Sequence, residues 1–171
     1  MKWIGVSGSW RQTTPALEWD VKQEVAAVLA DGNGIVTGGA LGVDYLATEL
    51  VRELDPLLER LKVILPTDLG TYTAHFYKRA QENVITVRQA KKLVQQLESV
   101  QKTRHKALIE GPRSKTVNKK AYFARNRLIA NAADELLAFQ VNDSPGTQHT
   151  IESTRRLGKK VKVYRYHTQK T

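Results

Sequence analysis

Short, uninterrupted apolar runs alternating with helix-spaced segments constrain this chain more than any other feature. "KWIGVSG" (2–8) is β-branched and aromatic and ends in small residues, which predicts a buried first strand. Thr14 and Pro15 then supply a capping hydroxyl and a proline at the first helical position. Leu17, Val21, Val25 and Val28 give that helix its apolar stripe, and "DGNG" (31–34) ends it. "IVT" reads as a second strand, "VDYLATELVREL" as a helix through Leu46, Leu50 and Leu54, and "LKVILP" as a third strand closed by Pro66. A long polar stretch, about 71–101, has helical character. "KALIEGP" reads as a short strand, "KKAYFARNRLIANAAD" as a helix, "ELLAFQV" as a strand, "TQHTIESTRRLGKK" as a helix and "VKVYRY" as the last strand. This order predicts an α/β fold: a three-layer Rossmann-like domain with a mostly parallel sheet flanked by helices. Strands without alternation fit it, because such sheets are covered on both faces. With 171 residues, no repeat and no linker, the chain reads as one domain, 1–171.

In open parallel sheets, ligands bind beyond the carboxyl ends of strands, where loops lead into helices. Three loops have that position and a suitable composition: "SGSWR" after the first strand, "TGGALGVD" after the second and "NDSPGT" after "ELLAFQV". Small residues there let backbone N–H groups face an anion near a helix N-terminus. The alternatives are ordinary ones, a helix cap at Gly38 and a plain turn at Pro145 and Gly146. Neither G-x-G-x-x-G nor G-x-x-x-x-G-K-[ST] occurs, so a standard NAD site and a P-loop are not expected.

There is no cysteine, and His75, His105, His149 and His167 are scattered, so neither thiolate chemistry nor a metal site is expected. No run approaches the roughly 18 apolar residues of a membrane span. A soluble, cytoplasmic protein without a membrane partner is the expectation.

The formal charge of +10 is concentrated. Residues 88–127 hold twelve Lys or Arg against Glu98 and Glu110, a surplus equal to the whole net charge. Lys102, Arg104, Lys106, Arg113, Lys115, Lys119 and Lys120 are therefore candidate nucleic-acid contacts, since neutralising phosphates releases counterions. The competing reading is a solvated helical insertion.

"VTGGALGVDYLATEL", "ILPTDLGTY", "AYFARNRLIANAADELLAF" and "SPGTQHTIE" occur in an order that resembles the SLOG superfamily of Rossmann-like proteins. Within it the chain is most similar to the Rossmann domain of the DNA-processing protein DprA (Smf) family and its small relatives. The resemblance spans about residues 2–165 and leaves about 73–105 unmatched, as a helical insertion. It implies a nucleotide-related ligand in the pocket formed by the loops, or single-stranded DNA as in DprA, and a homodimer or larger homo-oligomer. Carried over by residue, it implies ligand contacts from Gly8, Ser9 and Arg11, with Trp10 interrupting the family's Gly-Ser-Arg turn. Gly38, Gly39, Gly42 and Asp44 match the second loop, Arg125, Asn126 and Arg127 the family's R-N-R, and Ser144, Gly146 and Thr147 the last loop. Guanidinium forks suit phosphate, but neighbouring helix positions diverge, so only one of the two arginines is expected to enter the site. Asp44 is expected to cap backbone N–H groups of its own loop or helix.

Two departures bear on activity. Leu41 stands where DprA-like loops usually carry an arginine, which weakens the case for DNA binding in the DprA mode. Related LOG-type phosphoribohydrolases end in P-G-G-x-G-T-x-x-E, and the glutamate position here is Thr150. Glu152 lies two residues on, turned by roughly 200° on a helix. No catalytic residue is expected. Trp3, Trp19 and Phe139 are expected in the core. Tyr72, His75, Phe76, Tyr77, Tyr122 and Phe123 either stack on a base or pack as core or lid, and His149 is expected at the surface. The expected function is binding of a nucleotide or nucleotide-derived phosphate without robust catalysis. The alternatives are DprA-like single-stranded DNA binding through 88–127 and, behind it, LOG-like hydrolysis of a nucleoside monophosphate.

Overall fold

A computed structural model describes residues 1–169. Six strands, β1 (Trp3–Gly8), β2 (Gly34–Gly38), β3 (Leu61–Ile64), β4 (Leu108–Ile109), β5 (Glu135–Val141) and β6 (Lys160–Tyr166), form one sheet in the order β4-β3-β2-β1-β5-β6. Every pairing is parallel, with Ile4 opposite Ile35 and Glu135, and Ile35 opposite Leu61. The helices are α1 (Pro15–Ala30), α2 (Val43–Leu54), α3 (Leu69–Gln81), α4 (Val87–Thr103), α5 (Lys119–Ala132) and α6 (Pro145–Arg156), with a 3₁₀ turn at His105–Ala107. None is long and apolar enough, among the described residues, to cross a membrane.

Alternate residues of the strands serve two layers. Ile4, Val6, Ile35, Val63, Leu137 and Phe139 join the main core with the apolar stripes of α1, α2, α3 and α4. Val36 and Ile64 pack against Ile129 of α5, while Leu136 and Ala138 pack against Ile151 of α6. Burial on both faces explains why the strand sequences lack alternation. The chain reverses direction across the sheet between β1 and β5, and the loops after β1, β2 and β5 open on that edge.

Local chemistry sets the helix boundaries. Thr14 Oγ1 accepts the Leu17 N–H at 3.1 Å ahead of Pro15, as the sequence predicts. The long helical stretch is two helices: Asn83 takes a left-handed φ of 59°, and Thr86 with Gln89 forms a capping box that restarts the chain as α4. Tyr72, Phe76, Leu93, Leu97 and Val100 of these two helices are buried in the main core.

Trp19 corrects an expectation: it is 65% exposed. The buried stripe of α1 runs Leu17, Val21, Val25, Leu29, and position 19 is turned roughly 200° from Leu17. Phe139 is fully buried, and Trp3 is half-buried against the smaller cluster on the α5 side, beneath the Lys62 ammonium at 3.9 Å.

Candidate functional site

A cavity of about 570 Å³ opens at the carboxyl edge of the sheet. Its walls come from the loops after β1, β2 and β5, from α3, and from α5, which runs along one side. Helical spacing lets α5 serve two ends at once. Tyr122 and Arg125, three apart, lie toward α3, where Tyr122 Oη is 3.1 Å from His75 Nε2. Lys119, Phe123 and Asn126 lie toward α6: Phe123 stacks on His149 at 4.1 Å, and Asn126 Nδ2 donates to the Gly146 carbonyl at 3.2 Å.

The α6 end is shaped by the loop after β5. Asn142 and Asp143 both take left-handed φ values, 48° and 55°, and turn the chain so that Ser144, Gly146 and Thr147 line the cavity. Asn and Asp tolerate that region better than other side chains. Ser144 makes no side-chain cap to α6, which leaves the first-turn N–H groups without a partner from that side chain. Arg11, stacked on Trp10 at 4.8 Å, and Lys119 stand on the same cavity.

Buried between the two ends is a polar cluster. Asp44 accepts a hydrogen bond from Thr37 Oγ1 at 2.9 Å and from the Ala40 N–H at 3.3 Å, which matches the capping role expected of it. Burial raises its carboxyl above the ordinary carboxylate value, against the pull of the Arg125 guanidinium and these hydrogen bonds. Arg125, 7% exposed, donates to the Asn126 Oδ1 at 3.2 Å and to the Ile64 carbonyl at 3.4 Å, and lies 5.5 Å from the centre of the Tyr122 ring. Among the described residues, four cations line the cavity, Arg11, Arg79, Lys119 and Arg125, against a single carboxylate, Asp44. The balance favours an anionic ligand.

The structure sorts the sequence candidates. Gly8, Arg11, Asp44, Arg125, Asn126, Ser144, Gly146 and Thr147 line the cavity together. Arg127 faces solvent, so one arginine of the pair enters the site. Ser9, Gly38, Gly39 and Gly42 do not line it. Ser9 Oγ instead accepts the Val141 N–H at 3.1 Å, and its carbonyl accepts the Val43 N–H at 3.1 Å, tying β1 to β5 and α2. A Cβ on Gly39 would meet Leu65 at 2.4 Å, and one on Gly38 would meet Arg125 Nη1 at 2.4 Å. Gly42 turns at φ 75° against the Ser9 carbonyl. At these three glycines the space a Cβ would take is filled by neighbouring side chains and loop backbone.

The basic stretch is divided as well. Leu108 pairs with Val63, so Lys106, Arg104 and Lys102, which precede it, lie toward the amino end of the sheet. Arg113, Lys115, Lys119 and Lys120 follow β4 and lie beyond its carboxyl end, all of them exposed. Of the aromatic candidates, His75, Phe76, Tyr122 and Phe123 line the cavity, while Tyr77 is exposed and Tyr72 is core. His149 is half-buried under Phe123 rather than at the open surface. Arg79, Val84, Val117 and Asn118 also line the cavity and carry no motif that marks them in the sequence.

This fold is a three-layer Rossmann-like domain, with its cavity at the point where the strand order reverses. Its fold is that of DNA processing protein A from Helicobacter pylori, with a TM-score of 0.67 at 21% identity over 95% of this chain and 64% of that one. DNA processing protein A from Streptococcus pneumoniae superposes with a TM-score of 0.61 at 18% identity, over 95% of this chain and 50% of that one. The chain thus spans less than two thirds of either protein. A molybdenum cofactor binding protein from Rippkaea orientalis has a TM-score of 0.57 at 18% identity, over 96% of this chain and 77% of that one. No family model matches the chain, and no curated protein matches it.

Proposed function

We propose that the chain binds a nucleotide or nucleotide-derived phosphate in this cavity, without robust catalysis. The observation that carries the reading is one cavity lined by four cations, Arg11, Arg79, Lys119 and Arg125, that joins open N–H groups at α6 to the aromatic groups His75, Phe76 and Tyr122 toward α3. A phosphate and a heterocycle joined through a sugar require that pairing, and about 570 Å³ falls within the usual range of small-ligand sites. Assembly into a homodimer or larger homo-oligomer in the cytoplasm belongs to the same reading, and light scattering of the purified protein tests the assembly.

Single-stranded DNA binding is the second reading. It is favoured by the exposed cations Arg113, Lys115, Lys119 and Lys120 beyond the carboxyl edge, and by the single-stranded DNA binding described for the Helicobacter pylori protein. Hydrolysis of the LOG type is not favoured. Thr150 is buried and donates to the Gly146 carbonyl, while Glu152 is exposed beside Gln148 and Arg156.

Thermal melts with nucleoside monophosphates, ribose 5-phosphate and oligo-dT, each at low and moderate salt, test the proposal. A ligand at 100 times its Kd adds about 2.7 kcal/mol of stability. A salt-tolerant shift with a mononucleotide is expected. A shift with oligo-dT alone that vanishes with salt favours the second reading.

A further inference from the structure

The α3 end of the cavity holds a feature that phosphate binding does not use. Phe76, Val84 and Val117 form an apolar wall, and within it His75 Nε2 and Tyr122 Oη lie 3.1 Å apart. The Tyr122 ring is held from one side by Arg125 at 5.5 Å and meets the His75 ring at a tilt, with 6.1 Å between centroids. Next to this pair, Tyr72 is fully buried, with its ring edge-on to that of Tyr122 at 6.5 Å between centroids.

Resting on the nucleotide reading above, we infer that the His75–Tyr122 pair is a specificity-determining element that reads the hydrogen-bonding edge of a heterocyclic base lodged against Phe76, Val84 and Val117. A hydroxyl hydrogen-bonded to a neutral imidazole keeps one further donor or acceptor position free, and the shared proton decides which. With Nε2 accepting from Tyr122, the phenol oxygen offers lone pairs. With Nε2–H donating, the phenol O–H is released to the cavity. The pair therefore meets either a carbonyl or an amino group, which no purely apolar slot can do. Burial, reinforced by the Arg79 guanidinium, lowers the pKa of His75 and keeps the ring neutral at pH 7, as this exchange requires. The arrangement also fixes the ligand's direction: base toward α3, phosphate toward α6, sugar past Arg125 and Asp44.

Titration calorimetry with the four common nucleoside monophosphates and with ribose 5-phosphate tests this in wild type, Tyr122→Phe and His75→Gln. At least one nucleotide is expected to bind wild type tenfold or more tightly than ribose 5-phosphate. Tyr122→Phe retains the ring and is expected to lower that nucleotide's affinity about 5–20-fold, as loss of a buried hydrogen bond does, while leaving ribose 5-phosphate within about twofold. His75→Gln is expected to change the ranking of the four bases. Ribose 5-phosphate binding as tightly as every nucleotide overturns the base-reading role and leaves phosphate binding standing. Selective nucleotide binding that both variants retain unchanged also overturns it. Binding of neither class overturns the nucleotide reading together with it.

Discussion

Asp44 and Arg125 meet across Gly38: a Cβ there would lie 2.7 Å from Asp44 Oδ2 and 2.4 Å from Arg125 Nη1. The missing side chain is what lets a carboxylate from the start of α2 share a buried space with a guanidinium from the middle of α5. Gly38→Ala is therefore expected to destabilise the protein by about 1–3 kcal/mol through overpacking, and to weaken ligand binding by displacing Arg125. Urea denaturation with calorimetry on the same preparation checks both.

The R-N-R triplet is expected to split in function. Arg125→Met removes the buried guanidinium with its hydrogen bonds to Asn126 and the Ile64 carbonyl, and is expected to cost about 1–3 kcal/mol. Arg127 faces solvent, so Arg127→Ala is expected to stay within about 0.5 kcal/mol of wild type and to retain ligand affinity. Parallel urea titrations decide it; an equal loss in both variants would contradict the placement of Arg125.

Gly39 and Gly146 have the opposite relation. A side chain at Gly39 drives into Leu65 and Leu97, so Gly39→Asp is expected to disrupt the fold. Gly146 has open space where a Cβ would stand, at the first turn of α6. Gly146→Asp is expected to keep the melting temperature, or raise it slightly by placing a carboxylate at a helix N-terminus, and to abolish anion binding. Thermal melts with and without a nucleotide separate the two effects.

The strands are legible because burial on both faces writes itself as uninterrupted apolar runs: β1 and β3 fall within "KWIGVSG" and "LKVILP", β2 covers "IVT" with a glycine on either side, and β5 is "ELLAFQV". The three loops are legible from small residues after strands. The role of each glycine is not, since a missing Cβ reads the same whether it admits a phosphate, as open space at Gly146 allows, or Leu65, as at Gly39. Nor is the aromatic end. His75 and Tyr122 are 47 residues apart, and nothing local in either segment says that α3 brings them within 3.1 Å. The basic stretch misleads for a related reason. Continuity in sequence is not continuity in space when a strand crosses the sheet within it, as β4 does between Lys106 and Arg113.

Stability against pH carries a signature of the α3 end. Burial lowers the pKa of His75 below its unfolded value of 6.5, so below that pH the unfolded chain binds more protons than the folded one. Stability is therefore full above pH 6.5 and declines as the pH falls through the lowered native value. His149 shifts in the same direction, by burial and the Arg127 charge. Urea midpoints between pH 7.5 and 5 are expected to fall less steeply in His75→Gln and His149→Gln than in wild type, and least in the double variant.

The division of the cations between two ends of the sheet separates the DNA reading from mere net charge. Lys115→Glu with Lys119→Glu and Lys102→Glu with Lys106→Glu change the formal charge equally, but only the first pair lies beyond the carboxyl edge, where Lys119 lines the cavity. If a strand runs out of the cavity along that edge, the first pair lowers oligo-dT affinity and makes the dependence of log Kd on log salt shallower, by about 0.7 for each phosphate that is no longer neutralised. The second pair is then close to wild type. Fluorescence anisotropy at three salt concentrations reads both quantities. Equal losses of affinity in the two pairs would mean that oligo-dT responds to the diffuse positive field rather than to a path from the site.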